Sequence, residues 1–296
     1  MTEEHVDTLK KLLGGSDLSS VKQGIALWGS LTPIFEHTTE LLKHFTEEPV
    51  HSILTQENAT AVFKGYDQQS YLGLWLLTEL ARFPEMNQLT KAKLELVIVK
   101  SNITELPENI TALSNIQKIE LDEDAWRYLE QDLYQLSSLE SIEMFGSWSF
   151  FGHSEPVYIS EDIQKLQNLK NLTFCETKLV KLPDSIGSLP KLESLRVNNT
   201  PIESLPKTLG NLKTLRYLCI LGTGFEELPD VIKALDGLQE LDIEQVPLKN
   251  NRVPDWVMQL PSLTYLQMNE TTEEELERLK KLGPNVDILA EGLAPI

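Results

Sequence analysis

Positive charge is scarce in this sequence, where 26 Lys and Arg stand against 45 Asp and Glu for a net charge of −19. A surface of that sign repels phosphate, which argues against nucleic acid or an anionic membrane as a partner and would steer a basic partner in. The same charge keeps a leucine-rich chain soluble. No uninterrupted apolar run approaches the roughly 18 residues that a membrane span requires. The opening Met1-Thr2-Glu3-Glu4-His5 and the residues that follow lack a basic start and an apolar core, so no secretion signal is expected there. Catalytic spacings are missing too. There is no G-x-x-x-x-G-K-S/T, G-x-G-x-x-G, H-E-x-x-H, G-x-S-x-G or C-x-x-C. The five His are scattered, and His37 and His44 have no third ligand at metal spacing. His153 and Cys175 have no acidic orienter at a fixed spacing, so neither an enzyme nor a metal or other cofactor is expected.

What the sequence does have is a repeat. Leu169, Leu172, Phe174, Thr177, Leu179, Leu182 and Pro183 return as Leu192, Leu195, Val197, Thr200, Ile202, Leu205 and Pro206. They return again as Leu215, Leu218, Ile220, Thr223, Phe225, Leu228 and Pro229, a period of 192 − 169 = 215 − 192 = 23. A fourth copy opens at Leu238, Leu241 and Ile243 and closes at Val253-Pro254. Leu195 and Val197 alternate with Ser194, Arg196 and Asn198, the period of a strand with one buried and one open face. Ile186 and Leu189 are three apart, which suits a 3₁₀ turn that returns the chain to its start. No single copy can cover its own apolar side, so copies must stack, with their strands in a parallel sheet.

The pattern, clearest in Leu182-Pro183-Asp184-Ser185-Ile186-Gly187-Ser188-Leu189, resembles the leucine-rich repeat family in its 23-residue form. The resemblance implies an α/β solenoid with its sheet on a concave, protein-binding side. This short form is similar to intracellular repeats of bacterial and Ras-regulating proteins rather than to secreted ectodomains with cysteine-rich caps. Thr177, Thr200 and Thr223 stand where the family commonly has Asn, and are expected to bond the neighbouring turn's backbone. Cys175 and Cys219 fall two copies apart, roughly 10 Å at strand spacing, too far for a disulfide. Free thiols point to a reducing, cytoplasmic setting.

In chain order, residues 1–48 read as a helical cap or small bundle, with Val6, Leu9, Leu12 and Leu13 on one face, then Val21, Ile25 and Trp28, then Phe35, Leu42 and Phe45 after Pro33. Residues 49–70 read as a linker or a degenerate first copy. The array of about nine copies spans 71–289, with starts at 71, 94, 116, 139, 169, 192, 215, 238 and 263, and residues 290–296 form a tail. In the copy starting at 94, Leu94, Val97 and Val99 take the apolar strand positions. A terminal helix over 272–282 and a last short strand near Val286 cap the end. One interval is long, 169 − 139 = 30, and its insertion carries Trp148, Phe150, Phe151 and Tyr158. Those aromatics either bind a partner or pack down over the flank.

Positions two, four and six after each first leucine face the concave side. They include Glu120, Asp122, Glu143 and Phe145, then Arg196, Asn198, Tyr217 and Leu221, then Asp242, Glu244 and Tyr265. The ends of this face are acidic, and its middle holds aromatic and apolar anchors. Exposed aromatics on strands are also simply good strand formers. The expected function is a non-enzymatic module, an adaptor or scaffold, that binds a protein partner, with a basic partner suited to its charge. The alternative is a bacterial effector or immunity-type protein whose N-terminal helices have a separate role.

Overall fold

The computed structural model describes the strands β1 (Asn58–Gly65) and β2 (Lys93–Ser101), Leu106, residues 110–146, 155–249 and 252–290, and seven helical positions between Glu4 and Leu27. The apolar faces read over residues 1–48, the copy expected from Tyr71, the insertion residues Trp148, Phe150 and Phe151, and the tail from 291 on lie outside the described residues. Contacts divide the chain into two units, Met1–Leu139 and Glu140–Ile296.

In the first unit, β1, β2 and β3 (Ile116–Asp122) pair in parallel in that order. Asn58 sits opposite Lys93, so β1 is the neighbour of β2 on the side away from β3. The stretch 49–70 therefore contains a paired strand. The register also corrects the expected alignment, because β2 places Leu96 opposite Ile119 and Ile98 opposite Leu121, where the spacing put Val97 and Val99. A shift between Leu94 and Glu95 leaves Gln117 unpaired and moves every later pair by one.

Helix α1 (Glu123–Leu133) follows β3 directly, where no helix was expected. Its apolar Trp126, Leu129 and Leu133 recur at helical spacing and are buried. The Asp122 carboxylate accepts the Ala125 N–H at 2.9 Å, and Glu123 and Asp124 suit the positive end of the first turn. The Trp126 and Tyr134 rings meet edge to face at 6.4 Å.

The second unit is the repeat array. Strands β4 (Ser141–Phe145), β6 (Asn171–Cys175), β8 (Ser194–Asn198), β9 (Tyr217–Cys219), β10 (Glu240–Asp242), β11 (Tyr265–Met268) and β12 (Asp287–Ala290) form one parallel sheet in that order. The omitted β5 (Val157–Tyr158) and β7 (Leu179–Lys181) pair with each other as a separate parallel ribbon. Leu172, Phe174, Leu195, Val197, Leu218 and Leu241 are wholly buried behind the sheet. Each copy then returns through a 3₁₀ turn, at Asp184–Ser188, Lys207–Asn211, Asp230–Ala234 and Asp255–Gln259. Pro183, Pro206, Pro229 and Pro254 precede these turns, where a fixed φ is an advantage and the missing N–H costs nothing. The turns deliver Ile186, Leu209, Ile232 and Val257 to the other side of the core.

One backbone device is repeated after the strands. Glu176, Asn199, Gly222 and Gln245, 23 apart, all have left-handed φ of 58°, 50°, 64° and 56°. This bend lets Glu176, Asn199 and Gly222 donate their N–H groups to the next copy, at Asn198, Leu221 and Glu244 carbonyls. The threonines that follow do not bond the neighbouring turn as expected. The hydroxyls of Thr200 and Thr223 donate back to Val197 and Ile220 of their own copy at 3.3 and 2.6 Å, closing the local turn instead.

At the far end, helix α2 (Glu273–Leu282) is capped by Thr272, whose hydroxyl accepts the Glu275 N–H at 3.2 Å. Arg278 fastens it by donating to Glu275 at 2.7 Å, to the Val253 carbonyl at 2.6 Å and to Asp255. Arg278 first, against the opposing effect of burial, holds the Glu275 carboxyl below its ordinary 4.5. A depressed carboxylate stabilises the fold above its unfolded pKa, and that contribution is lost as pH falls below about 4.5 through the folded value. Arg278→Ala should therefore cost about 1–3 kcal/mol in urea unfolding at pH 7. The difference from the native chain should shrink on going to pH 3; a difference independent of pH would show that the ion pair does not hold the helix.

Candidate protein-binding surface

Strand pairing in the second unit lines the open face into three rows. The first runs Ser141, Asn171, Ser194, Tyr217, Glu240, Tyr265 and Asp287. The second runs Glu143, Thr173, Arg196, Cys219, Asp242, Gln267 and Leu289. Phe145, Cys175 and Asn198 pair in the third, with Leu221, Glu244 and Asn269 two residues further along their chains. The period thus brings together Glu143, Phe145, Arg196, Asn198, Tyr217, Leu221, Asp242, Glu244 and Tyr265 on one face. Glu120 is half-buried on β3 of the first unit.

Arg196 is exposed, and its guanidinium lies over the Tyr217 ring at 4.6 Å from the centroid. This is a cation–π contact that holds a long cation flat on the sheet. Beside it, the Cys219 thiol donates to the Asp242 carboxylate at 3.1 Å. Burial, above all, raises the Tyr217 hydroxyl far above its usual range. Burial and then the Asp242 charge push the Cys219 thiol up to about 12. Burial first, then Glu176, raises Cys175 as well. All three groups stay protonated at neutral pH, so neither thiol is poised as a nucleophile. Both cysteines are free, in line with their separation in the repeat.

Two of the predicted contact residues are buried. Asp242 is only 7% exposed, its carboxylate taken by the Cys219 thiol and the Glu244 N–H at 3.0 Å. Asp122 is 4% exposed and is spent on the cap of α1. In both cases a short carboxylate at a strand end meets backbone N–H groups two or three residues on. Glu244 is half-buried and accepts from the Gln267 amide at 2.9 Å. Tyr158, from the insertion, is 64% exposed on the ribbon, opposite Lys181. The Cys219–Asp242 bond was missed, although their separation of 23 residues marks them as neighbours in the stack. Among the described residues, no group of three or more His, Cys, Asp or Glu is arranged to hold a metal, and no helix is long and apolar enough to cross a membrane.

Parallel strands joined by 3₁₀ returns at a constant period define a repeat solenoid. Residues 207–284 match a family model described as a leucine-rich repeat region. The leucine-rich repeat domain of the type III effector XopL aligns at a TM-score of 0.50 and 15% identity, over 98% of this chain and 90% of that one. An internalin C2 from Listeria monocytogenes aligns at 0.49 and 18%, over 70% and 82%. The ectodomain of the plant membrane receptor kinase GASSHO1/SCHENGEN3 from Arabidopsis thaliana aligns at 0.45 and 18%, over 74% of this chain but only 28% of the receptor chain. No curated protein matches the sequence. The chain has the leucine-rich repeat fold, and its family match lies within the second unit. Proteins of this fold generally act by binding other proteins and are typically non-enzymatic.

Proposed function

We propose that the second unit is a non-catalytic adaptor or scaffold that holds a basic protein partner on its open sheet face, in a reducing compartment. The observation that carries this is the Arg196–Tyr217 stack, its guanidinium exposed over the half-buried ring near the middle of the face, with Glu143 on one side and Glu240 and Glu244 on the other. Arginine and tyrosine anchors inside a charged rim are the usual composition of a binding hot spot. The acidic rim steers a cationic partner and makes association sensitive to salt.

The test places a photo-crosslinking phenylalanine at Phe145 or Leu221 on the face, or at Glu203 or Lys207 away from it. After irradiation in lysate, adducts should form from the face positions, weaken with salt, and drop about tenfold or more when Tyr217→Ala is added. Adducts of equal yield from all four positions, or from Glu203 and Lys207 alone, would overturn the proposal.

A further inference from the structure

The first row of the sheet carries a finer pattern. Across β9 to β12 it alternates tyrosine and carboxylate, as Tyr217, Glu240, Tyr265 and Asp287. Glu240 and Asp287 are exposed, and neither has an ion-pair partner among the described residues. Each therefore offers a full charge to an incoming group, and Glu240 has a tyrosine on either side. A carboxylate flanked by aromatic rings suits an ammonium or guanidinium, which gains both ion pairing and cation–π contact.

The spacing narrows the ligand. Glu240 and Asp287 are two strands apart, about 9.6 Å at the usual strand separation. In a polyproline II segment, residues i and i+3 lie on the same side and about 9.3 Å apart, whereas in a β-strand they point to opposite sides. Resting on the proposed function of this face, we infer that the row reads a polyproline II segment of the partner with Lys or Arg at i and i+3, one cation over Glu240 and the next over Asp287. Arg196 sets the register. A third cation one step further would sit over Ser194, the neighbour of Arg196 on the open face of β8, and meet a like charge.

The experiment titrates the full chain, carrying ¹³C-labelled tyrosine, with Ac-Gly-Lys-Pro-Pro-Lys-Gly-amide and with its isomer Ac-Gly-Pro-Lys-Lys-Pro-Gly-amide. Equal composition and charge cancel general attraction to an acidic protein. The first peptide should shift the Tyr217 and Tyr265 ring signals with about threefold or greater tighter binding than the second. Glu240→Gln or Asp287→Asn should erase that preference. Equal affinity of the isomers, or a preference unchanged in both variants, overturns the inference. Should the isomers bind alike while the crosslinks still map to the face, the ladder fails and the wider proposal stands. Crosslinks absent from the face sink the wider proposal whatever the peptides do.

Discussion

Phe174→Ala should cost about 3–5 kcal/mol in urea unfolding, the largest single effect expected in the second unit. The ring is wholly buried, one of the two largest fully buried side chains among the described residues, and its strand neighbours in register are Met144 and Val197. Removing it leaves a cavity that the flanking strands cannot close, because β4, β6 and β8 are fixed to one another by their backbone ladders. In a stack where each copy touches only its neighbours, the loss weakens both adjoining interfaces. Thr173→Ala, one residue away on the open face, should stay within about 0.5 kcal/mol of the native chain. A Phe174→Ala cost below about 1 kcal/mol would mean that the core collapses around the gap and that the ladders are softer than their geometry implies.

Gly187→Ala should destabilise by about 2–3 kcal/mol through overpacking. A Cβ built there would stand 2.1 Å from the Thr208 carbonyl oxygen and 2.5 Å from its carbon, both backbone atoms of the next turn. The two turns are held together by the Thr208 hydroxyl, which donates to the Asp184 carbonyl at 2.6 Å, so they cannot part freely. One copy later, a Cβ at Gly210 would meet the Ala234 Cβ at 2.9 Å, a milder contact. At Gly224 it would meet nothing within 4 Å. The order of cost by thermal or urea unfolding should thus be Gly187, then Gly210, then Gly224 near zero. Any other order would mean that the spacing between turns is not set by backbone contact.

The copies with a clean period were legible because their leucines meet two conditions at once. Leu195 and Val197 satisfy strand alternation, while Ile186 and Leu189 satisfy the 3₁₀ return, and the observed elements follow both. The first unit was harder. β2 reads Leu-Glu-Leu-Val-Ile-Val, where apolar residues occupy both alternations, so pattern alone does not choose between registers one residue apart. β1 has no leucine to mark it, only the β-prone Thr60, Val62 and Phe63. Helix α1 did leave a signal, since Asp122 followed by Trp126, Leu129 and Leu133 is a cap and an apolar stripe. It lay where the repeat led one to expect a short turn.

By itself the sequence determined which residues share a row of the open face, because a constant period converts a separation of 23 residues into contact between neighbouring strands. It likewise determined the sign of the surface and the leucines of the core. Only the tertiary structure decided which members of a row remain available. Asp242 and Glu240 look equivalent in the chain, yet burial and the Cys219 thiol consume the first while the second keeps its charge exposed. That choice rests on side-chain orientation and on what stands on the next strand, and neither is a property of the local sequence.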